Sequence, residues 1–223
     1  MSISGMERSP TANPAIPVAA GKSNFRRQTA FVSLLLVVYT IWIGLLLIGH
    51  TVLFEYELTA GPLSNSKRIF PDKGSVQLTH SRQNLILFLH PACPCSVATV
   101  DEFRDLMRQG EKDSVGTVVF FMPHEKESEW SMLPIISSVR RIPNVSILFD
   151  ADSSQADLFG ATTSGHVFLY DGRGILQFSG GITGSRGHTG DNQYFELAKK
   201  TILCKSPKYT TTPVFGCSLR GLQ

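Results

Sequence analysis

The chain has 223 residues, a formal net charge of +3 and a charged fraction of only 17%. The 21 basic residues nearly balance the 18 acidic ones and form no basic pattern interleaved with aromatic residues, which argues against nucleic-acid binding. Four cysteines are too few for a disulfide scaffold, and the length allows one medium-sized domain with additional segments.

The low charged fraction has a local cause in the N-terminal quarter. Residues 1–28 are rich in Ser, Pro, Ala and Gly, which predicts a disordered tail. Residues 29–54 contain no Asp, Glu, Lys or Arg. A bilayer core of about 30 Å requires about 20 apolar residues in a helix, so this stretch predicts one transmembrane helix. It lacks the polar face of a core helix and is longer than the roughly 7–15 apolar residues of a cleaved signal peptide.

Basic residues around this stretch predict its orientation. Lys22, Arg26 and Arg27 precede it closely, whereas the nearest basic residues on the other side are Lys67 and Arg68. Because positive charge is retained on the cytoplasmic side, we expect a single-pass membrane protein with a cytoplasmic N-terminus. The C-terminal domain would then be extracytoplasmic, which in a bacterium means periplasmic, where disulfides persist.

The remaining chain contains one region with a regular alternation of strands and helices. Residues 55–83, with several Gly and Pro turn signals, predict a linker or extension, and residues 205–223 predict a C-terminal tail. Between them, residues 84–204 are predicted to form the domain. Strands are predicted at 84–90, 115–122, 145–149, 166–170 and 175–178, and helices at 96–109, 130–141, 151–160 and 192–203. This order predicts an α/β protein, a thioredoxin-like three-layer α/β/α sandwich with a central mixed sheet.

The first predicted strand delivers a cysteine pair to the start of a helix. Cys93 and Cys95 flank Pro94, a residue suited to an early helix position because it lacks an N–H group. The unpaired N–H groups at a helix N-terminus lower the pKa of a nearby thiol and so favour the reactive thiolate. We interpret the turn as a redox site, and the alternative is a purely structural cysteine pair.

Only one residue separates these cysteines, whereas the usual redox pair has two. A disulfide across one residue closes a small, strained ring, which predicts a relatively oxidising couple. In the simplest scheme Cys93 attacks a substrate disulfide and Cys95 resolves the product. In a second register, Pro94 and Cys95 align with the end of a two-residue-spaced motif, and Ala92 takes the place of the nucleophile.

Two further groups of residues are candidates for this site. His90 lies three residues before Cys93, where it would assist thiolate formation or simply face solvent at the strand end. Ser164, Gly165 and His166 precede the fourth predicted strand. In thioredoxin-like folds this loop faces the cysteines, binds substrate and carries a cis-proline. Gly165 occupies that place here, and His166 either faces Cys93 or is an ordinary strand residue.

A glycine-rich stretch, residues 179–188, follows the last predicted strand. It lacks the Gly-Lys-Ser/Thr of a phosphate-binding loop, so the first interpretation is a flexible loop. Arg186 and His188 are its candidates for binding an anion or a partner.

Several stretches resemble the RedB-like group of bacterial membrane-anchored, thioredoxin-fold proteins. They are HPACPCS at 90–96, FGATTSGHVFLYDGRG at 159–174, FSGGITGSRGHTGDN at 178–192 and PVFGCSL at 213–219. The resemblance implies a thioredoxin-like domain with a Cys-x-Cys centre at Cys93 and Cys95. It also implies a role beyond structure for Cys217, if the last stretch is a feature of the group.

The remaining two cysteines leave two interpretations open. A disulfide between Cys204 and Cys217 would close a loop of about a dozen residues and stabilise the fold by about 2–3 kcal/mol. Alternatively, Cys217 resolves a mixed disulfide at Cys93.

Three functions are compatible with these features. The first is a membrane-anchored thiol–disulfide oxidoreductase without a cofactor, whose partners are protein thiols or disulfides and a recycling partner. The second is copper binding or delivery through Cys93, Cys95 and His166, since thiolates and imidazole suit Cu(I). The third is a redox-inactive interaction domain.

Overall fold

The computed structural model describes residues 21–110, 112–204 and 209–220, with side chains from residue 25 onward except that of Cys204. The chain divides into two compact units, Met1–Val52 and Leu53–Gln223. Helix α1, Gly21–Leu58, contains the predicted membrane segment. Its stretch Phe25–Leu58 is long and apolar enough to cross a membrane, with a mean hydropathy of 2.6 and an exposed apolar surface. A core helix of a soluble protein would bury such a surface, so the exposure agrees with a membrane anchor.

The second unit is built around one sheet. Its strands are β1 Gln83–Leu89, β2 Ser114–Phe121, β3 Val145–Asp150, β4 His166–Tyr170, β5 Leu176–Gly180 and β6 Thr210–Thr211. Its helices are α2 Cys95–Gln109, α3 Glu127–Trp130, α4 Pro134–Arg140, α5 Ser154–Phe159 and α6 Gln193–Cys204, with a 3₁₀ turn at His124–Lys126. The alternation of strands and helices predicted from the sequence is therefore confirmed.

The strand order is β3-β2-β1-β4-β5-β6, which places β1 near the centre. Strands β1, β2 and β3 are parallel neighbours, whereas β4 pairs antiparallel with both β1 and β5. In the β1–β4 register, Phe88 lies opposite His166. The predicted central mixed sheet is thus present, and the cysteine turn follows its inner strand.

Each face of the sheet has its own apolar layer, because side chains alternate along the strands. Leu85, Leu87 and Leu89 point to the face covered by α2, α4 and α6. Ile86 and Phe88 point to the other face, which is covered by α5 and by residues of the preceding extension. The result is the predicted three-layer arrangement.

Helix α2 is held on the sheet by apolar residues at helical spacing. Val100, Phe103, Leu106 and Met107 are all buried in the first apolar layer. Each such side chain contributes about 1.5–3 kcal/mol when fully buried. The helix ends at Gly110, whose N–H group donates to the carbonyl oxygen of Leu106. This packing fixes the first turn of α2, where Cys95 lies.

One predicted helix is interrupted. The sequence pattern predicts a single helix over 130–141, but the structure ends α3 at Trp130 and starts α4 at Pro134. Leu133 is extended, with φ −63° and ψ 140°. A residue before proline is disfavoured in the helical region, and proline is well suited to the first helical position. The proline therefore separates two helices.

Two segments predicted to be peripheral contribute to the packed domain. In the extension, Phe70 and Val76 are buried in the second apolar layer, and the Tyr170 hydroxyl donates to the carbonyl oxygen of Lys67. In the C-terminal segment, Val214, Phe215 and Leu219 are buried and β6 pairs parallel with β5. Both segments therefore belong to the packed domain.

Candidate functional site

The cysteine turn is a tight connection between β1 and α2. The N–H group of Cys93 donates to the carbonyl oxygen of His90 at 3.1 Å, which closes a four-residue turn. The carbonyl oxygen of Cys93 in turn accepts from the N–H group of Ser96 at 3.1 Å, and Pro94 already has helical dihedral angles. Cys93 therefore lies just before the helix and Cys95 is its first residue, as the sequence predicts.

His90 supports this turn from inside the protein. Its side chain is buried between Trp130 and Phe121, with ring centroids 4.8 Å and 5.7 Å away. Nδ1 accepts a hydrogen bond from the N–H group of Ala92 at 3.2 Å, which leaves the proton on Nε2. Burial lowers the pKa of His90, so the ring is neutral at pH 7. His90 thus positions the turn, and the imidazolium form considered from the sequence is disfavoured.

Two buried serines connect the turn to the loop before β4. Ser164 Oγ accepts from the N–H group of His90 at 2.8 Å and lies 2.9 Å from Ser96 Oγ. Ser96 Oγ also donates to the carbonyl oxygen of His90 at 3.0 Å. The structure therefore brings Ser164 to the site, and it adds Ser96, whose role a single sequence does not indicate.

Gly165 is the residue that the sequence predicts at the position where thioredoxin-like folds usually have a cis-proline. Its φ of +97° is in the region that favours glycine, and proline, with φ fixed near −65°, does not adopt it. The N–H group of Gly165 donates to the carbonyl oxygen of Phe88 at 2.8 Å, a bond that proline lacks the donor to make. No cis peptide bond occurs among the described residues. The backbone here therefore explains why the sequence departs from the usual pattern.

The C-terminal segment brings a third thiol to the turn. Cys217 Sγ lies 2.7 Å from Cys93 Sγ, although 124 positions separate the two residues in the sequence. The sulfurs of Cys93, Cys95 and Cys217 all lie within 4.8 Å of one another. The sequence proposed Cys217 either as a partner of Cys204 or as a partner of Cys93. The structure places it beside Cys93, and the side chain of Cys204 lies outside the described residues.

The three thiols differ in acidity. Burial raises the pKa of Cys93, but hydrogen bonds from the thiol and backbone of Cys217 and from the backbone of Cys95 outweigh it, so the pKa lies below its usual value. Burial and the neighbouring Cys93 thiolate raise the pKa of Cys95. Burial, followed by the hydrogen bond and the charge at Cys93, raises the pKa of Cys217 to about 12. Cys93 is therefore the most acidic thiol of the three.

Arg186, in the glycine-rich stretch, is the cation of this site. Its charge lowers the pKa of both Cys95 and Cys217, against the larger effect of burial. The backbone N–H group of Arg186 donates to the carbonyl oxygen of Glu57 at 3.1 Å, and its guanidinium group donates to that of Thr59 at 3.2 Å. The first half of the stretch is packed, with Ile182 fully buried, in contrast to the flexible loop predicted.

His166 lies in different surroundings from the cysteines. Its Nε2 is 2.8 Å from Ser179 Oγ, and its ring stacks on Phe168 at 4.1 Å. Burial lowers its pKa to about 3. Among the described residues, the group of side chains suited to a metal ion contains the three cysteines and no histidine. His166 is therefore not part of the sulfur cluster, and Cys217 takes the third position.

The comparisons with known proteins find similar structures but no similar sequence family. No protein-family model and no curated protein matches the sequence. The crystal structure of a hypothetical protein from Sinorhizobium meliloti 1021 aligns with a TM-score of 0.52 and 18% identity, covering 73% of this chain and 94% of the other.

Two further solved structures are similar. An uncharacterized conserved protein from Geobacillus kaustophilus aligns with a TM-score of 0.53 and 17% identity, over 72% of this chain and 91% of the other. The pneumococcal exposed lipoprotein thioredoxin Etrx1 from Streptococcus pneumoniae TIGR4 aligns with a TM-score of 0.42 and 15% identity, over 62% and 98%. The likeness is one of fold alone, and it is the strand order and the three layers of the second unit that agree with the predicted thioredoxin-like sandwich.

Proposed function

We propose that this protein is a membrane-anchored thiol–disulfide oxidoreductase whose nucleophile is Cys93. The observation that carries the proposal is the sulfur cluster, in which one thiol of lowered pKa receives hydrogen bonds from its neighbours. The thiolate is the attacking species in disulfide exchange. Protein thiols or disulfides are the proposed substrates, and a separate redox partner recycles the protein. The sequence assigns the resolving step to Cys95.

The chemistry requires a thiolate at Cys93 and a second thiol close to it. Cys93 attacks one sulfur of a substrate disulfide, forming a mixed disulfide and releasing one substrate thiolate. A second protein thiolate then attacks Cys93 Sγ, forms an internal disulfide and releases the other substrate thiolate. The substrate gains two electrons, and the two protein thiols lose them together with two protons. The reverse sequence oxidises a substrate dithiol.

The test uses the full chain in detergent micelles with a peptide disulfide as substrate. We expect exchange that depends on Cys93, and a half-maximal alkylation rate of Cys93 at a lower pH than that of free cysteine. Equilibration with glutathione buffers then gives the redox potential of the pair. If alkylation of Cys93 has the pH dependence of free cysteine and Cys93→Ser leaves exchange unchanged, the domain is redox-inactive and the proposal fails.

A second candidate function is copper binding or delivery, and the three-sulfur cluster favours it. Soft thiolates select Cu(I), and three sulfurs within 4.8 Å of one another suit one small ion. The sequence assigned the third ligand to His166, but that ring bonds Ser179, so Cys217 is the better candidate. Titration of the reduced chain with Cu(I) tests this. Loss of stoichiometric binding in Cys217→Ser, but not in His166→Gln, supports the three-sulfur site, whereas weak binding in the wild type contradicts it.

The location and the finer family assignment are also proposed here. The four quoted sequence stretches support a RedB-like protein, and the basic residues Lys22, Arg26 and Arg27 support a cytoplasmic N-terminus with an extracytoplasmic or periplasmic domain. Fusion of alkaline phosphatase after residue 223 tests the orientation, because that enzyme is active only outside the cytoplasm. Inactive, fully expressed fusion protein would contradict it.

A further inference from the structure

The nucleophile of the proposed reaction is covered by the segment that carries Cys217. Cys93 is only 2% exposed, so a substrate disulfide has no direct approach to it. The covering segment, residues 213–219, pairs with the loop before β4. The N–H group of Ser164 donates to the carbonyl oxygen of Cys217 at 2.8 Å, and that of Leu219 donates to Thr162 at 3.0 Å. Substrate access therefore requires this segment to move.

Cys95 is poorly placed to form a disulfide with Cys93. Pro94 already has helical dihedral angles and Cys95 is the first residue of α2, so the backbone of Cys95 is fixed by the helix. A disulfide between Cys93 and Cys95 would distort the first turn of α2. It would also distort the hydrogen bond from the Ser96 N–H group to the Cys93 carbonyl oxygen, which is 3.1 Å long. Such a disulfide would therefore strain α2, which is packed in the core.

Cys217 meets none of these obstacles. Its sulfur is already 2.7 Å from that of Cys93, and it lies on an irregular segment outside the helices and strands of the domain. The segment is joined to the domain by separate backbone hydrogen bonds, including one from Gly61 to Val214 at 2.8 Å. Local opening of such a segment costs less than unwinding a core helix.

We infer that Cys217, rather than Cys95, resolves the mixed disulfide at Cys93, and that its segment opens to admit the substrate and closes to release it. This inference rests on the proposed oxidoreductase function. In the resolving step the Cys217 thiolate attacks Cys93 Sγ, the Cys93–Cys217 bond forms, and the bond from Cys93 to the substrate breaks. The departing substrate thiolate takes a proton from water. An external dithiol later reduces the internal disulfide and becomes oxidised itself.

The experiment compares Cys95→Ser with Cys217→Ser in the full chain in detergent micelles. Each variant is mixed with the peptide disulfide, quenched with acid and analysed by mass spectrometry without reductant. We expect Cys217→Ser to accumulate a mixed disulfide at Cys93 and to lose turnover, and Cys95→Ser to turn over without accumulating it. Circular dichroism confirms that both variants are folded.

The outcomes separate this inference from the proposed function. The assignment to Cys217 is overturned if the mixed disulfide accumulates in Cys95→Ser alone, in both variants or in neither. In each of these cases, exchange that depends on Cys93 still supports the oxidoreductase function. Exchange that persists in Cys93→Ser overturns the oxidoreductase itself. As an independent measurement, limited oxidation of the wild type followed by peptide mapping is expected to yield the Cys93–Cys217 disulfide. A Cys93–Cys95 disulfide as the main product would contradict the inference.

Discussion

The turn that carries Cys93 and the segment that carries Cys217 meet at one contact but are held in different ways. The turn is fixed by buried side chains: Ser164 accepts from His90, and His90 accepts from Ala92. Residues 213–219 are held by backbone hydrogen bonds and by the apolar side chains of Val214, Phe215 and Leu219. The difference indicates that the turn is rigid and that residues 213–219, the cover of Cys93, can separate from it. The predictions below test these two regions in turn.

The largest effect is expected at the nucleophile itself. Cys93→Ser removes the only thiol of lowered pKa in the cluster, so disulfide exchange should fall to the rate of the protein-free blank. The rate of reduction of the peptide disulfide measures this. Cys95→Ser is the matched control and should retain the first attack. Equal losses in both variants would show that the two cysteines of the turn act as one unit.

The rigidity of the turn is tested by Ser164→Ala. The substitution leaves the buried N–H group of His90 without its acceptor, which should lower the free energy of unfolding by about 1–3 kcal/mol. Urea denaturation followed by near-UV circular dichroism measures it. Ser137→Ala, which removes an exposed hydroxyl bonded within α4, is the control and should change little. A similar small change in both would indicate that the serine network does not hold the turn.

The cover is tested by Gly216→Val. A side chain at Gly216 would collide with the backbone carbonyl of Ser164, so the paired form of the segment should be destabilised. Alkylation of Cys93 should accelerate, by about tenfold for each 1.4 kcal/mol by which opening becomes easier. Ser218→Ala keeps the backbone pairing and should leave the rate unchanged. An unchanged rate in Gly216→Val would mean that the segment does not limit access to Cys93.

The smallest effect concerns His166, whose ring is buried against Phe168 and Ser179. Its pKa of about 3 in the folded protein is far below the ordinary value near 6.5. The unfolded chain therefore binds more protons between these values, and stability present above pH 6.5 is lost as the pH falls. The loss between pH 6.5 and 5.5 should be about 1 kcal/mol from this group.

His166→Gln should remove that part of the acid sensitivity, and denaturation at the two pH values measures it. His188→Gln, a substitution of an exposed loop histidine outside the core, is the matched control. Identical pH profiles for the wild type and His166→Gln would show that the ring is protonated without unfolding.

The sequence predicts those parts of the molecule that depend on neighbours along the chain. The apolar run of β1, the helical spacing of α2 and the strand His166–Tyr170 are local patterns, and the structure confirms each of them. The break before Pro134 is also local, but a continuous apolar pattern concealed it. The order of strand, turn and helix likewise predicts the position of Cys93 and Cys95 at the start of α2.

What the sequence left open depends on contacts between distant positions. Ser96 and Ser164 meet across 68 positions, and no periodicity indicates that their hydroxyl groups share hydrogen bonds. The side to which His166 points depends on the register of β4 against β1, which places it opposite Phe88. For Cys217 the only signal was the stretch PVFGCSL, which marked the cysteine but not its position.

The separation of 124 positions between Cys93 and Cys217 also has a consequence for biosynthesis. The ribosome makes the chain from the N-terminus, so β1, the turn and α2 emerge well before residues 213–219. During that interval Cys93 lacks both the Cys217 hydrogen bonds that lower its pKa and the segment that covers it. The thiol is then more accessible but less acidic than in the finished domain. The arrival of one short segment thus changes the accessibility and the acidity of Cys93 together.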